Sequence, residues 1–267
     1  MPLTTLSENE LNLVRQHLQT DPTQLALKFH GKKGIDGPRI LQQIVARQKA
    51  RTKLPAWYAN ADLFFPAPLS VEQASSQATA LYKASLISGD HLADLTMGMG
   101  VDSYYFSDRF DRVSGFEINP ELAEITSYNI KVWGKEHCTV YNRESPPLQE
   151  LDADWIYIDP SRRDAQKKKI VAFENSSPNV LGLLPVPLGK RMMIKSSPLI
   201  DIVAAVEQLK QVAEVHVVGY RNECKELLFV LDPERSGQDW RISAVVVDDQ
   251  GLTVKKMTFT RPEEETA

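Results

Sequence analysis

Two apolar runs, EVHVVGY (214–220) and KELLFVLD (225–232), are separated by only the four residues RNEC (221–224). Parallel neighbours need a crossover of about a dozen residues or more, so these two runs must pair antiparallel. Upstream lie five more short strand-like runs: HLADLTM (91–97), RVSGFEI (112–118), CTVYN (138–142), WIYID (155–159) and RMMIKSS (191–197). Helical segments separate most of the seven, at 101–110, 119–134 and 198–211. Alternating strand and helix predicts an α/β doubly wound domain with a seven-stranded, mostly parallel sheet. An antiparallel pair at the C-terminal end of such a sheet already excludes most α/β folds.

The segments outside this alternation read differently. Residues 1–85 are predicted as an N-terminal helical region. Ser7 and Glu10 make a capping pattern, and Leu11, Val14 and Leu18 recur at helical spacing. Pro38 sits in the first turn of a helix bearing Ile40, Leu41, Ile44 and Val45 on one face. The stretch 54–68 holds three prolines and reads as a connector, and 70–87 as one further helix rich in small residues. The α/β domain is predicted over 86–232. From 233 to 267 the chain reads as a β-hairpin about DDQG (248–251) and an acidic tail.

Composition sets limits on function. The net charge of −4 makes no global case for a polyanion partner. Locally, Lys28 to Lys53 holds eight basic residues against the single acid Asp36, which reads as either a solvated helix face or a phosphate-binding surface. No apolar run approaches the roughly 20 residues that span a bilayer, and the first residues lack the pattern of a signal peptide. A cytoplasmic protein without a membrane partner is expected. Cys138 and Cys224 lack CxxC spacing, and the five histidines are scattered, so no metal is expected.

The chemistry gathers at the ends of the predicted strands. The first ends in DLTMGMG, Asp94 to Gly100. Gly98 and Gly100 allow a tight turn and close approach of a ligand, with Thr96 between them and the acid. A dinucleotide fingerprint would place a third glycine at 103, where this chain has Ser103. The acid Asp94 suits an ammonium group better than a pyrophosphate. Glu117, followed by Ile118, ends the second strand, where a carboxylate accepts both hydroxyls of a ribose. After the third strand, Asn142 or Glu144 is placed to meet an adenine edge, or the segment is a simple turn. The fourth strand stops at Asp159-Pro160 and opens onto Ser161, Arg162 and Arg163.

Asp94, Gly98, Gly100, Glu117 and Asp159-Pro160 together resemble the class I S-adenosylmethionine-dependent methyltransferases, which have a Rossmann-like fold. Amino-directed members end the fourth strand in Asn/Asp/Ser-Pro-Pro-aromatic. Here Asp159-Pro160-Ser161-Arg162 lacks the second proline and the aromatic, so base stacking would fall to an arginine plane. More narrowly, DPSRR (159–163), KSSPLID (195–201) and RNECKELLFVL (221–231) resemble a bacterial group related to the trimethylguanosine synthases that carries a C-terminal THUMP-like RNA-binding domain. That domain is expected to be absent or cut short in this chain. The resemblance covers about residues 70 to 232 and implies S-adenosylmethionine as cofactor, held by Asp94, Thr96, Gly98, Gly100, Glu117, Ile118 and Asn142. It implies transfer at Asp159 and Pro160.

The arginines then suggest the substrate. Ser161, Arg162, Arg163 and Lys195 are expected to bind an anion beside the target, since the planar guanidinium grips phosphate or carboxylate through two bonds. The reading is methylation of a nitrogen on an RNA base, with RNA as partner. The alternatives are a protein or small anionic metabolite as substrate, a non-catalytic RNA-binding protein with a vestigial pocket, and an NAD-linked oxidoreductase. For Lys195 there is also a purely structural reading, in which it pairs with Asp159 or Asp201 and holds the mouth shut.

Overall fold

The computed structural model describes residues 6–162, 173, 176–235 and 239–260. Its first third is helical: α1 (Glu8–Gln16), α2 (Pro22–Phe29), α3 (Gly37–Lys53), α4 (Pro55–Ala59), α5 (Pro68–Gln73) and α6 (Gln77–Leu86). The Ser7–Glu10 capping box is complete, with the Glu10 carboxylate 2.8 Å from the Ser7 N–H and the Ser7 hydroxyl accepting from the Glu10 N–H. Three features differ from the sequence expectation, the first being α4, a short helix inside the stretch 54–68 expected as a connector. Helix α2, started by Asp21 as cap and Pro22 in the first turn, is an addition to it. The single helix expected over 70–87 is two, because Ser76 caps α6 through the Thr79 N–H and interrupts the run.

Strands then alternate with helices: β1 (Gly89–Asp94), α7 (Val101–Phe106), β2 (Phe110–Phe116), α8 (Pro120–Val132), β3 (Cys138–Tyr141) and β4 (Trp155–Ile158). The two-residue strands β5 (Ser161–Arg162) and β6 (Ser176–Ser177) pair with each other. After them come β7 (Arg191–Ser196), α9 (Ile202–Leu209), β8 (Val212–Tyr220), β9 (Glu223–Leu231), β10 (Arg241–Val247) and β11 (Thr253–Thr260). The main sheet runs β3-β2-β1-β4-β7-β9-β8-β10-β11. The pairs among β3, β2, β1, β4 and β7 are parallel, and β9 lies antiparallel between β7 and β8.

The β8–β9 hairpin turns on Arg221 and Asn222, both with positive φ (51° and 62°), as a two-residue hairpin loop requires. Seven strands was an undercount. The hairpin β10–β11 joins the same sheet, β10 parallel to β8 from Arg241↔Glu214 to Val247↔Tyr220, so the sheet has nine strands among the described residues. The β8–β9 pair is therefore interior, and β11 forms the edge.

Strand β4 shows why the sheet is covered on both faces. All four residues are buried. Trp155 and Tyr157 belong to one apolar cluster with Trp57, Phe65 and Phe106, while Ile156 and Ile158 belong to another with Phe229, Ile194 and Ala205. Side chains alternate across a strand, so a run with no polar break is buried from both sides. A third cluster joins Leu25, Phe29, Ile40, Ile44 and Phe64 to Ile125 of α8, which seats the N-terminal helices against the sheet's helical layer. No helix among the described residues is long and apolar enough to cross a membrane.

Candidate active site

Parallel strands all deliver their C-terminal ends to one edge, and ligands of open α/β sheets bind there, where the strand order reverses. In this chain β1, β2, β4 and β7 end around a cleft of about 830 Å³. Of the predicted site residues, Asp94, Thr96, Gly98, Gly100, Glu117, Ile118, Asp159, Pro160, Ser161 and Lys195 line it.

Asp94 is 1% exposed. Its Oδ1 accepts the Thr96 N–H at 3.0 Å and its Oδ2 accepts the Ser103 hydroxyl at 2.5 Å. Ser103, where a dinucleotide site would have glycine, thus holds the acid. Burial pushes the Asp94 carboxyl up to about 7, against the lowering effect of those two bonds. Gly98 and Gly100 take φ of +57° and +81°. A Cβ on Gly98 would meet only the Thr96 carbonyl oxygen, at 3.9 Å, so this turn leaves a ligand room at the backbone. A Cβ on Gly100 would lie 2.7 Å from Thr126 Cγ2, so that glycine serves helix packing. The Glu117 carboxylate accepts the Gly98 N–H at 3.0 Å and the Asn119 N–H at 2.7 Å. A carboxylate has about four acceptor sites, so two hydroxyls still find lone pairs there.

Across the cleft, the Asp159 N–H donates to the Thr96 hydroxyl at 2.7 Å, which ties β4 to the β1 turn. Lys195 pairs with Asp159 Oδ2 at 2.5 Å. Burial alone would lower the ammonium's pKa; Asp159, then Glu226 and Asp102, hold it above the ordinary lysine value. The pairing anticipated for Lys195 is therefore present, with Asp159 as its partner.

No family model matches the chain, and no curated protein matches it. Among solved structures, the crystal structure of a "putative methyltransferase" from Porphyromonas gingivalis W83 is similar over 98% of this chain and 68% of that one, at 27% identity and a TM-score of 0.75. A modification subunit of a type I restriction enzyme from Vibrio vulnificus YJ016, itself described as "putative", matches over 86% of this chain and 62% of its own, at 12% identity and a TM-score of 0.49. A likeness of that extent says nothing about substrate. Sheet order, cleft and the Porphyromonas likeness agree. The chain is an S-adenosylmethionine-dependent methyltransferase, and S-adenosylmethionine is its cofactor.

Not every expected residue of the methyltransferase reaches the cleft. Asn142 does not line it: its carboxamide donates to the carbonyls of Glu117 (2.8 Å) and Ile118 (3.3 Å), bracing the turn that carries both. From that loop it is Glu144 and Ser145 that line the cleft. Ser161 and Arg162 form β5, and Arg163 lies outside the described residues. The basic stretch Lys28–Lys53 is largely engaged within the protein: Arg47 on backbone carbonyls, Lys49 and Lys53 on Glu72, Arg51 on Gln19, Lys28 on His17.

Sequence reasoning missed two groups. One is the wall supplied by α5 and its exit, Ser70, Gln73, Ala74 and Ser75, facing Pro178 and Asn179. The other is a charged floor. Asp102 Oδ2 accepts from the Tyr157 hydroxyl (2.7 Å) and the Ser75 hydroxyl (2.8 Å). Lys83, fully buried, sits 3.2 Å from Asp102 Oδ1 and 2.8 Å from Glu226. Burial would raise the Asp102 carboxyl, but Lys83, Lys195 and the Tyr157 and Ser75 hydroxyls together hold it below the ordinary value. The available signal was a tyrosine inside an otherwise apolar strand, two residues before Asp159. Among the described residues no His, Cys, Asp and Glu cluster could hold a metal. Cys138 and Cys224 are free thiols, the first buried and the second exposed.

Proposed function

We propose that the methyltransferase modifies a nitrogen of an RNA base. The observation that carries this reading is the split state of Asp159: Oδ2 is held by Lys195, while Oδ1 has no protein partner among the described residues. The cofactor supplies an activated methyl group. The protein's task is alignment of a nucleophile at about 3 Å. Lys195 holds Asp159 in place through its Oδ2. Oδ1 accepts an exocyclic N–H and turns the nitrogen lone pair toward the methyl carbon. A bound cofactor would give its methyl to that nitrogen with the sulfur as leaving group, and the surplus proton on nitrogen would pass to water. Asp94 would hold the cofactor's ammonium, the Gly98 turn would let it approach the backbone, Glu117 would hold the ribose and Ile118 would cover the adenine, while Asn142 acts through the turn it braces.

Residues 1–85 form a helical region that completes the substrate side of the 86–232 domain; the α5 residues in the cleft wall support this. The segment 233–267 is its C-terminal extension. Ser161, Arg162 and Arg163 grip substrate phosphate. The kinship with the THUMP-like bacterial group and the trimethylguanosine synthases belongs to the same reading and is supported by Asp159-Pro160-Ser161-Arg162 and Lys195-Ser196-Ser197-Pro198.

The test is transfer of radiolabelled methyl from S-adenosylmethionine to bacterial RNA, protein and small-molecule fractions. Label is expected in an RNA base, lost in Asp159→Ala, with S-adenosylhomocysteine binding retained by that variant. Label in protein or in a metabolite would overturn the RNA assignment and leave the enzyme class standing.

A further inference from the structure

Away from the cleft, the N-terminal helices line a second pocket of about 240 Å³, open to solvent on the side of the exposed Arg15. Its lining is mostly apolar and includes Leu11, Val14, Leu18, Leu63 and Phe64. Two guanidiniums also face it, Arg15 from α1 and Arg47 from α3.

Arg47 is only 6% exposed. It donates to the backbone carbonyls of Asn60 (3.2 Å), Ala61 (2.9 Å) and Leu63 (2.6 Å). Carbonyls satisfy N–H groups but do not cancel a charge. Among the described residues, Arg15 donates to Asn12 Oδ1, at 3.5 Å. Neither arginine has a carboxylate in ion-pair contact among the described residues. Asp62 acts on Arg47 only through space. Burial, then the charge of Arg15, push the Arg47 pKa down to about 10, so the two cations sense each other.

A buried charge without a counter-charge is costly, and an anion from outside relieves that cost. The fork of a guanidinium matches carboxylate and phosphate oxygens. The apolar walls require the anion to carry an apolar body. The volume lies below the roughly 300–1,000 Å³ of drug-sized pockets, so the occupant is compact.

We propose that this cavity is a second binding site, for a small amphipathic anion whose apolar body packs on Val14 and Leu63 and whose carboxylate or phosphate head sits between Arg15 and Arg47. The site is independent of the methyl-transfer reading.

Calorimetric titration of the whole protein, saturated with S-adenosylhomocysteine, tests it. The probes are octanoate and phenyl phosphate, with octanol as the uncharged control. At least one anion is expected to bind ten-fold or more tighter than octanol, and which one does identifies the head group. Arg15→Gln should weaken that anion ten-fold or more while leaving the melting temperature and S-adenosylhomocysteine binding unchanged. Arg15 is the residue to replace, because Arg47 also holds the 60–63 backbone. Equal binding of octanol, an unaltered affinity in Arg15→Gln, or no saturation by either anion at millimolar concentration would overturn the proposal.

Discussion

Asp94 concentrates the physical problem of the cleft in one side chain. Its carboxyl is buried and rests near pKa 7, while the unfolded chain has it near 3.8. The folded state therefore holds a proton that the unfolded state has released across that interval. The stability it contributes is whole below about pH 3.8 and lost as pH rises through about 7, at most about 4 kcal/mol for a shift of this size. Asp94→Asn should remove this component, so its melting temperature should exceed that of the native protein by more at pH 8 than at pH 5. An equal difference at both pH values would show that Asp94 is not protonated in the folded state. A cationic ligand reverses the preference, because an ammonium beside Asp94 favours the anion. S-adenosylhomocysteine should therefore bind more tightly as pH rises toward 7 and lose that dependence in Asp94→Asn. Glu117 offers a simpler case. Glu117→Ala should weaken the same ligand by about 1.5–3 kcal/mol, the range for hydrogen bonds to a charged group. Both acids were legible in the sequence as residues at strand ends. The proton on Asp94 was not, because it depends on burial, to which α7 contributes through Ser103.

At the level of elements, the two glycines of the β1–α7 turn look alike in sequence and differ in structure. Gly98 needs positive φ and has open space where a Cβ would go. Gly100 needs positive φ and is closed off by Thr126 of α8. Gly100→Ala adds a steric conflict to the backbone strain and should destabilise by about 1–3 kcal/mol. Gly98→Ala should cost about 1 kcal/mol of stability, since only the backbone is strained, yet place a methyl group in the cleft and impair cofactor binding far more. Melting curves and S-adenosylhomocysteine titrations of both variants would check this, and a Gly98→Ala protein of native affinity would refute it. Strands β1 to β4 and β7 to β9 were readable because each is a short apolar run bounded by polar or glycine residues, whereas the two-residue polar strands β5 and β6 carry no such signal. The β8–β9 pairing followed from loop length alone. That β10 joins β8 was not readable, because period-two alternation marks a strand without naming its neighbour. The break between α5 and α6 was the reverse case: serine favours caps over helix interiors, so Ser75 and Ser76 marked a possible break that the small-residue run 70–87 obscured.

For the whole molecule, the question is where a polyanion would dock on a chain of net charge −4. The basic stretch of α2 and α3 was the obvious candidate, but many of its charges answer to internal partners. This leaves the mouth of the cleft, where Ser161 and Arg162 leave β4 beside the Asp159–Lys195 pair. If Arg162 and Arg163 hold substrate phosphate, replacing both with alanine should raise the apparent KM for RNA. The plot of binding against salt should also flatten, by about one unit of slope for each phosphate no longer gripped. Lysine in their place should restore only part of the affinity, since a point charge cannot make the two-bond grip of a guanidinium. If the arginines instead lock the loop by pairing with acids of this chain, the double variant should melt lower and keep its salt slope. Both measurements on one Arg162→Ala, Arg163→Ala protein separate the cases. A lowered melting temperature with an unchanged slope would end the phosphate-grip assignment and return Lys195 as the cation nearest the reacting nitrogen.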